Sequence, residues 1–162
     1  MDEGLFAHAQ DLAGANRYLT LATADADGRP WSTPVYFAAD EGLESFYWMS
    51  AETSKHSQNV SARPEVSLAV FDSTVPPYHG RCLYASGAAE VLSADEVPPA
   101  LLVYPGPEAR GGSTITEADV TGASPWRLYR VRASGLWLLC PRAPREPCER
   151  HGRADDHRVR IR

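Results

Sequence analysis

The chain has 162 residues, 43% hydrophobic and 23% charged, with a formal net charge of −5. That length suits one domain with a real core, and the acidic balance argues against nucleic acid as a partner. No apolar run approaches the roughly 18 residues of a membrane span, and MDEGLFAHAQ lacks a basic, then apolar leader, so the expectation is a cytoplasmic protein without a membrane partner.

Residues 2–15 carry Leu5, Phe6, Ala9 and Leu12 at helical spacing behind an acidic start, which predicts a short helix. RYLTLATA (17–24) is rich in β-formers, and DADG (25–28) is a turn signal ending in Gly28. RPWSTPVYFAA (29–39) resumes as a strand with Thr33, Val35 and Phe37 on one face. Pro34 interrupts it, so its missing N–H should face no neighbouring strand. After the DEG turn, LESFYWMS (43–50) is a third strand, followed by a polar helical segment over 54–62.

PEVSLAVFD (64–72) and RCLYASGAAEVLS (81–93) read as two further strands, with Gly87 marking a bulge or a close approach. Ser93 and Glu96 form a capping box before a short helix limited by Pro98 and Pro99. Residues 105–125 are the longest irregular stretch, and WRLYRVRASGLWLLC (126–140) is predicted as a hairpin turning at Ala133–Gly135, with Arg127, Arg130 and Arg132 exposed. The chain beyond Pro141 reads as a charged, mobile tail until HRVRIR (157–162), which alternates like a last edge strand. The expected fold is therefore mainly β: a six- to seven-stranded antiparallel barrel with a few peripheral helices. The domain spans residues 1–140, with 141–162 as its tail.

Common chemical motifs are missing. There is no GxGxxG, GxxxxGK[ST] or GxSxG. Cys82, Cys140 and Cys148 are odd in number with no CxxC spacing, and His8, His56, His79, His151 and His157 include no HExxH pair. On spacing, neither a disulfide framework nor a metal site is expected.

One stretch stands out. SAETSKHSQNV (50–60) gathers Ser54, Lys55 and His56 at a helix start. Such residues can simply cap the helix. They can also hold an anion, because helix N-termini with added cations bind phosphate.

Four blocks in order, LATADADGRPWSTPVYF, FYWMS, SKHSQNVSARPEVSLAVFD and LYASGAAEVLS, resemble the pyridoxamine 5′-phosphate oxidase-like, FMN-binding split-barrel family over residues 5–140. The resemblance implies a split barrel, a homodimer whose partner subunit closes each cofactor site, and FMN as cofactor. It implies that Ser54, Lys55 and His56 hold the FMN phosphate, with His56 adding a charge when protonated. It further implies that Thr33, Pro34, Val35 and Tyr36 lie along the isoalloxazine ring, with Trp48, Met49 and Ser50 beside it. The activity implied is hydride transfer to or from a small organic substrate, whose wall the loop 105–125 would help to form. Catalytic side chains are not identified.

The sequence departs from the vitamin B6 oxidases themselves. Their second strand is basic where this one has Thr33 and Ala38, and their Trp…Arg-x-His-Asp-Arg tail motif is only loosely echoed by Trp137 and ADDHRVR. Vitamin B6 is therefore not the expected substrate. The broader superfamily also includes binders of a deazaflavin coenzyme and of haem, which keeps a non-catalytic carrier as the alternative.

Overall fold

The computed structural model describes residues 2–162. Helix α1 (Glu3–Ala15) opens the chain, with the Asp2 carboxylate accepting the Leu5 N–H at 3.1 Å as its N-cap. Strands β1 (Tyr18–Ala24), β2 (Pro30–Tyr36), β3 (Ala38–Ala39) and β4 (Ser45–Ala51) follow, then helix α2 (Lys55–Ala62). Next come β5 (Glu65–Phe71), β6 (Cys82–Val91) and the single-turn helices α3 (Val97–Ala100) and α4 (Glu117–Val120). The long strand β7 (Trp126–Leu139) and the short β8 (Arg158–Arg160) complete the chain.

All pairings are antiparallel, in the order β2-β1-β5-β6-β7-β4-β3, with β8 added to the end of β7. The two ends of that order, β2 and β3, are successive pieces of one segment bent at Phe37. The sheet therefore curls back on itself, giving the expected split barrel, with six long strands and two short ones among the described residues. Inward-facing Leu19, Leu21, Phe46, Trp48, Leu136 and Leu138 fill its interior. A second cluster, Tyr47, Leu92, Val97, Tyr104, Val120 and Leu128, packs α3 and α4 onto the outside of β4 and β7.

Pro34 lies on β2, an edge strand whose only ladder neighbour among the described residues is β1, as a residue without an N–H requires. The hairpin expected over 126–140 is instead one continuous strand. Its first half pairs β4 while most of its length pairs β6. At Ala133–Gly135 the chain exchanges neighbours rather than turning, and the Ala133 N–H donates to the Glu44 carbonyl at 2.9 Å. Arg130 is buried between Glu90 and Glu96, at 2.5 and 2.6 Å, rather than exposed. Ser93 and Glu96 do meet, but not as the expected capping box: Glu96 is itself the N-cap of α3, without a side-chain cap bond, and its carboxylate accepts the Ser93 N–H and hydroxyl. Glu96 falls to a pKa of about 2, chiefly through the Ser93 hydroxyl and then Arg130.

Gly87 marks both a bulge and a close approach. The β6–β7 register shifts between Ser86 and Gly87, and a Cβ on Gly87 would lie 2.0 Å from the Arg132 carbonyl oxygen. Backbone cannot give way as a flexible side chain can. Gly87→Ala should therefore cost about 3 kcal/mol, the upper range for overpacking. Gly14→Ala, in a helix with nothing within 4 Å of the new methyl, should instead stabilise by about 0.5–1 kcal/mol. Urea titration of both variants checks the contrast, and equal midpoints would refute it.

Candidate functional site

The bend at Phe37 creates a cleft. Residues 30–36 of β2 find ladder partners only in β1, whereas residues 48–51 of β4 find theirs only in β7. β3 joins β4 only at Ala38 and Ala39. The facing edges of β2 and β4 are thus unpaired beyond the bend, and their backbone groups border a split.

Helix α2 closes the wide end of that split. It packs against β1 and β2, and two buried polar contacts fix it. The Asn59 amide donates to Thr23 Oγ1 at 2.9 Å, and His56 Nε2 lies 2.7 Å from Ser50 Oγ on β4. Ser54 is the N-cap: its Oγ accepts the Ser57 N–H at 3.3 Å and also sits 3.2 Å from His56 Nε2. Ser50, Ser54 and His56 therefore form one cluster joining strand to helix. Polar residues at the helix start leave the N–H groups of Lys55 and His56 as the free donors of the first turn.

The candidate residues divide by face. Thr33 and Val35 point toward the barrel interior, with Val35 in the core. Pro34 is exposed, and Tyr36 is half-buried on the outside, donating to the Pro105 carbonyl at 2.8 Å. Thr33 Oγ1 is buried without a hydrogen-bond partner. Met49 is half-buried in the outer cluster. Trp48 is fully buried and stacked on Tyr129 at 5.3 Å, so it can offer the split only its backbone. Lys55 is half-exposed, 3.7 Å from Asp25.

His56 differs from its expected role. It points inward, and burial pushes its pKa below the ordinary value, so at pH 7 it is neutral and occupied by two hydroxyls. Lys55 is then the cation of this helix start, and His56 is what fixes the start in place. Asn59, Ser57 and Thr23, all buried, complete the arrangement. For Asn59 and Ser57 the sequence signal is only the polarity of an otherwise amphipathic helix, and Thr23, on β1, carries none.

Arg110 was also missed, because it lies in an irregular loop. Its guanidinium donates to the carbonyls of Ala13, Asn16 and Phe37 at 2.7–2.9 Å, and to that of Gly14 at 3.2 Å. The loop expected to form a substrate wall is thereby fastened to its own chain at the bend, and it covers Tyr36.

The pH response of His56 follows from linkage. Its pKa is lower in the folded than in the unfolded chain, so stability is full above the unfolded value near 6.5. As pH falls through that value, the unfolded chain gains a proton that the folded chain refuses, and stability declines. His56→Gln should flatten this decline between pH 7 and 5. Part will remain, because His8 is also lowered, by burial first and Arg81 second. Urea midpoints across this range provide the measurement; superimposable slopes for both proteins would show that His56 titrates normally.

The sequence model of the pyridoxamine 5′-phosphate oxidase family matches residues 5–140. No curated protein matches the chain in sequence. Among solved structures, a haem-binding protein from Mycobacterium smegmatis superposes with a TM-score of 0.67 at 18% identity, covering 94% of this chain and 57% of that one. The chain thus spans little more than half the length of that relative. The haem storage protein of Vibrio cholerae gives 0.58 at 19% identity, covering 82% and 92% of the two chains. An F420 reductase gives 0.55 at 24% identity, covering 78% and 94%. These likenesses show the fold they share. No helix among the described residues is long and apolar enough to cross a membrane.

Proposed function

The chain belongs to the pyridoxamine 5′-phosphate oxidase family, and on that premise we propose that it is an FMN-dependent oxidoreductase acting on a small organic substrate other than vitamin B6. The observation that carries this reading is the split itself. Two unpaired strand edges face each other and end at the N-terminus of a helix that presents Ser54 and Lys55. A flat ring can lie along backbone edges without needing ionisable residues, while a phosphate suits free N–H groups and a cation.

The residues present fit such a ligand. The Ser54 hydroxyl, Lys55 and the first-turn N–H groups of α2 would hold the phosphate. The Thr33–Tyr36 edge and the backbone of Trp48–Ser50 would flank the ring, and the partnerless Thr33 Oγ1 is available to a polar ring atom. Bound FMN would supply the hydride chemistry itself. The chain's task is then to orient the ring, exclude water and admit substrate. His56 serves by locking α2 to β4 through Ser50.

The partner proposed is a second copy. The outer face of β1, β5 and β6 is concave, with a cavity of about 600 Å³ floored by small residues such as Ala22, Ser67, Ala69 and Ser86 and walled by Tyr84 and Trp137. Exposed Tyr18 and Phe71, on the same outer face, extend its apolar character. A homodimer through this face would cover it and set the partner beside the split.

The rival is a non-catalytic carrier of haem or a deazaflavin, suggested by the named activities of the structural relatives. The engagement of His56 Nε2 by two hydroxyls weighs against that imidazole as a haem ligand.

The test is the visible spectrum after adding FMN, a deazaflavin coenzyme or haemin in parallel, followed by anaerobic NADPH or NADH. FMN uptake with bleaching, and recovery in air, is the expected result. Lys55→Ala should weaken FMN about tenfold to a hundredfold, the value of a charge-assisted contact of about 1.5–3 kcal/mol. A Soret band with no FMN uptake would overturn the proposal. Light scattering should give twice the chain mass at micromolar concentration, and a monomer would remove the second copy.

A further inference from the structure

The tail contains a cluster that the split does not use. Cys140, Cys148, His151 and His157 each bring one ligand-type atom to a common point, with all four atoms within 4.8 Å of one another. The Sγ atoms of Cys140 and Cys148 are 3.3 Å apart, and His151 Nδ1 lies 3.5 and 3.3 Å from them. His157 Nε2 lies 3.2 Å from His151 Nδ1. We propose that these four residues form a structural zinc site, Cys₂His₂, that folds the C-terminal segment onto the barrel.

The four atoms lie at the spacing of a small ligand sphere. Zn–S bonds of about 2.3 Å and Zn–N bonds of about 2.0–2.1 Å, set tetrahedrally, put neighbouring ligand atoms about 3.3–3.8 Å apart. Four of the six separations are 3.2–3.5 Å and all lie within 4.8 Å, so shifts of a few tenths of an ångström, the two sulfurs moving apart, bring the atoms to those edges. Two thiolates with two neutral imidazoles also make a charge-balanced donor set for a divalent ion, and one with a preference for sulfur and nitrogen.

The surroundings prepare the ligands. His157 places Nδ1 3.0 Å from the Asp155 carbonyl, so Nδ1–H donates there and Nε2 keeps its lone pair toward the cluster. Such an outer partner is what fixes the tautomer of a metal-binding histidine. The Gly152 N–H donates to the Cys148 carbonyl at 2.7 Å and the Cys148 N–H to the Arg153 carbonyl at 2.8 Å, turning the chain so that Cys148 and His151 face the same point. Cys140, Cys148 and His157 are buried. Thiols are poor hydrogen-bond partners, so two thiols packed against two imidazoles are weakly satisfied by one another and well satisfied by a cation.

Two other occupations fit less well. A disulfide requires about 2.05 Å between sulfurs, and it would leave both imidazoles facing an inert bond. A two-iron cluster of the Rieske type divides its cysteines and histidines between separate irons, whereas here all four atoms converge on one point.

The site has a structural consequence. Cys140 directly follows β7, and its N–H donates to the His157 carbonyl at 2.9 Å immediately before β8. An ion binding both residues would clamp β8 to β7. It would thereby fix Arg158, which lies over the Tyr84 ring at 4.4 Å on the concave outer face. The clamp is independent of any cofactor in the split.

Metal analysis of protein purified in reductant without chelator should find one zinc per chain. Cobalt replacing it should give the visible bands of a tetrahedral thiolate site, and zinc should protect two of the three cysteines from alkylation. Cys148→Ser and His157→Ala should each weaken zinc by more than about a hundredfold, beyond the cost of losing an outer-shell partner. Cys82→Ser, outside the cluster, should retain one equivalent. Wild-type protein that retains no zinc and gives no visible cobalt bands with its thiols reduced would overturn the site. So would an intact mass showing a Cys140–Cys148 disulfide in metal-free protein that zinc cannot occupy after reduction. Both readouts use the wild-type chain, so a variant that fails to fold does not shield the proposal.

Discussion

The bend at Phe37 is the constraint on which the rest of the structure depends. Before it, the segment pairs with β1; after it, the segment pairs with β4. One residue thus closes the sheet into a barrel and opens the split beside it. Phe37 itself is fully buried against Phe46, and its N–H donates to the Arg17 carbonyl at 3.1 Å. Its own carbonyl, turned out of both ladders, would be an unsatisfied acceptor without Arg110. The guanidinium also lies 5.1 Å over the Phe37 ring. A single arginine from a distant loop therefore secures the end of α1, the bend and the loop that carries it.

The second organising feature is polar. Buried hydroxyl, amide and imidazole groups are costly unless paired. Helix α2 uses that cost as a positional device. Asn59 must meet Thr23 and His56 must meet Ser50, so the helix has one seating against the barrel, which an apolar contact alone would specify less sharply. The consequence for the site is that the free N–H groups of the first turn and Lys55 are held in fixed relation to both strand edges. An imidazole that first suggests a cation at the phosphate becomes, once buried, the neutral pin between helix and strand.

The outer face and the tail belong together. Small residues on β1, β5 and β6 leave a concavity that the chain itself does not fill, while Tyr84, Trp137 and Arg158 raise its rim. The rim depends on β8, a strand of three residues too short to hold itself in place. Its position is determined by the segment that folds back between Cys140 and His157, where the backbone makes a closely bonded turn rather than the mobile tail anticipated from its proline and charge content.

Much was legible in the sequence for a simple reason: strand alternation, turn residues and caps are local. Thr33 and Val35 declared their shared inward face by period-two spacing. Gly28 and the DADG turn, the edge position of Pro34 and the Ser54 cap were all readable from neighbours in the chain. The tertiary structure decided what depends on distant partners. Ala133–Gly135 reads as a turn until β4 and β6 are both available to pair the same strand. Arg130 reads as exposed until Glu90 and Glu96 enclose it, and His56 as a cation until Ser50 approaches. Cys140 and Cys148 are too far apart in sequence to suggest a ligand pair, and only the return of the chain to β7 brings them within 3.3 Å. The sequence by itself determined the strands, their inward faces and the helix start. Which polar groups meet was decided by folding, because a hydrogen bond or a ligand sphere is set by positions in space that local periodicity does not encode.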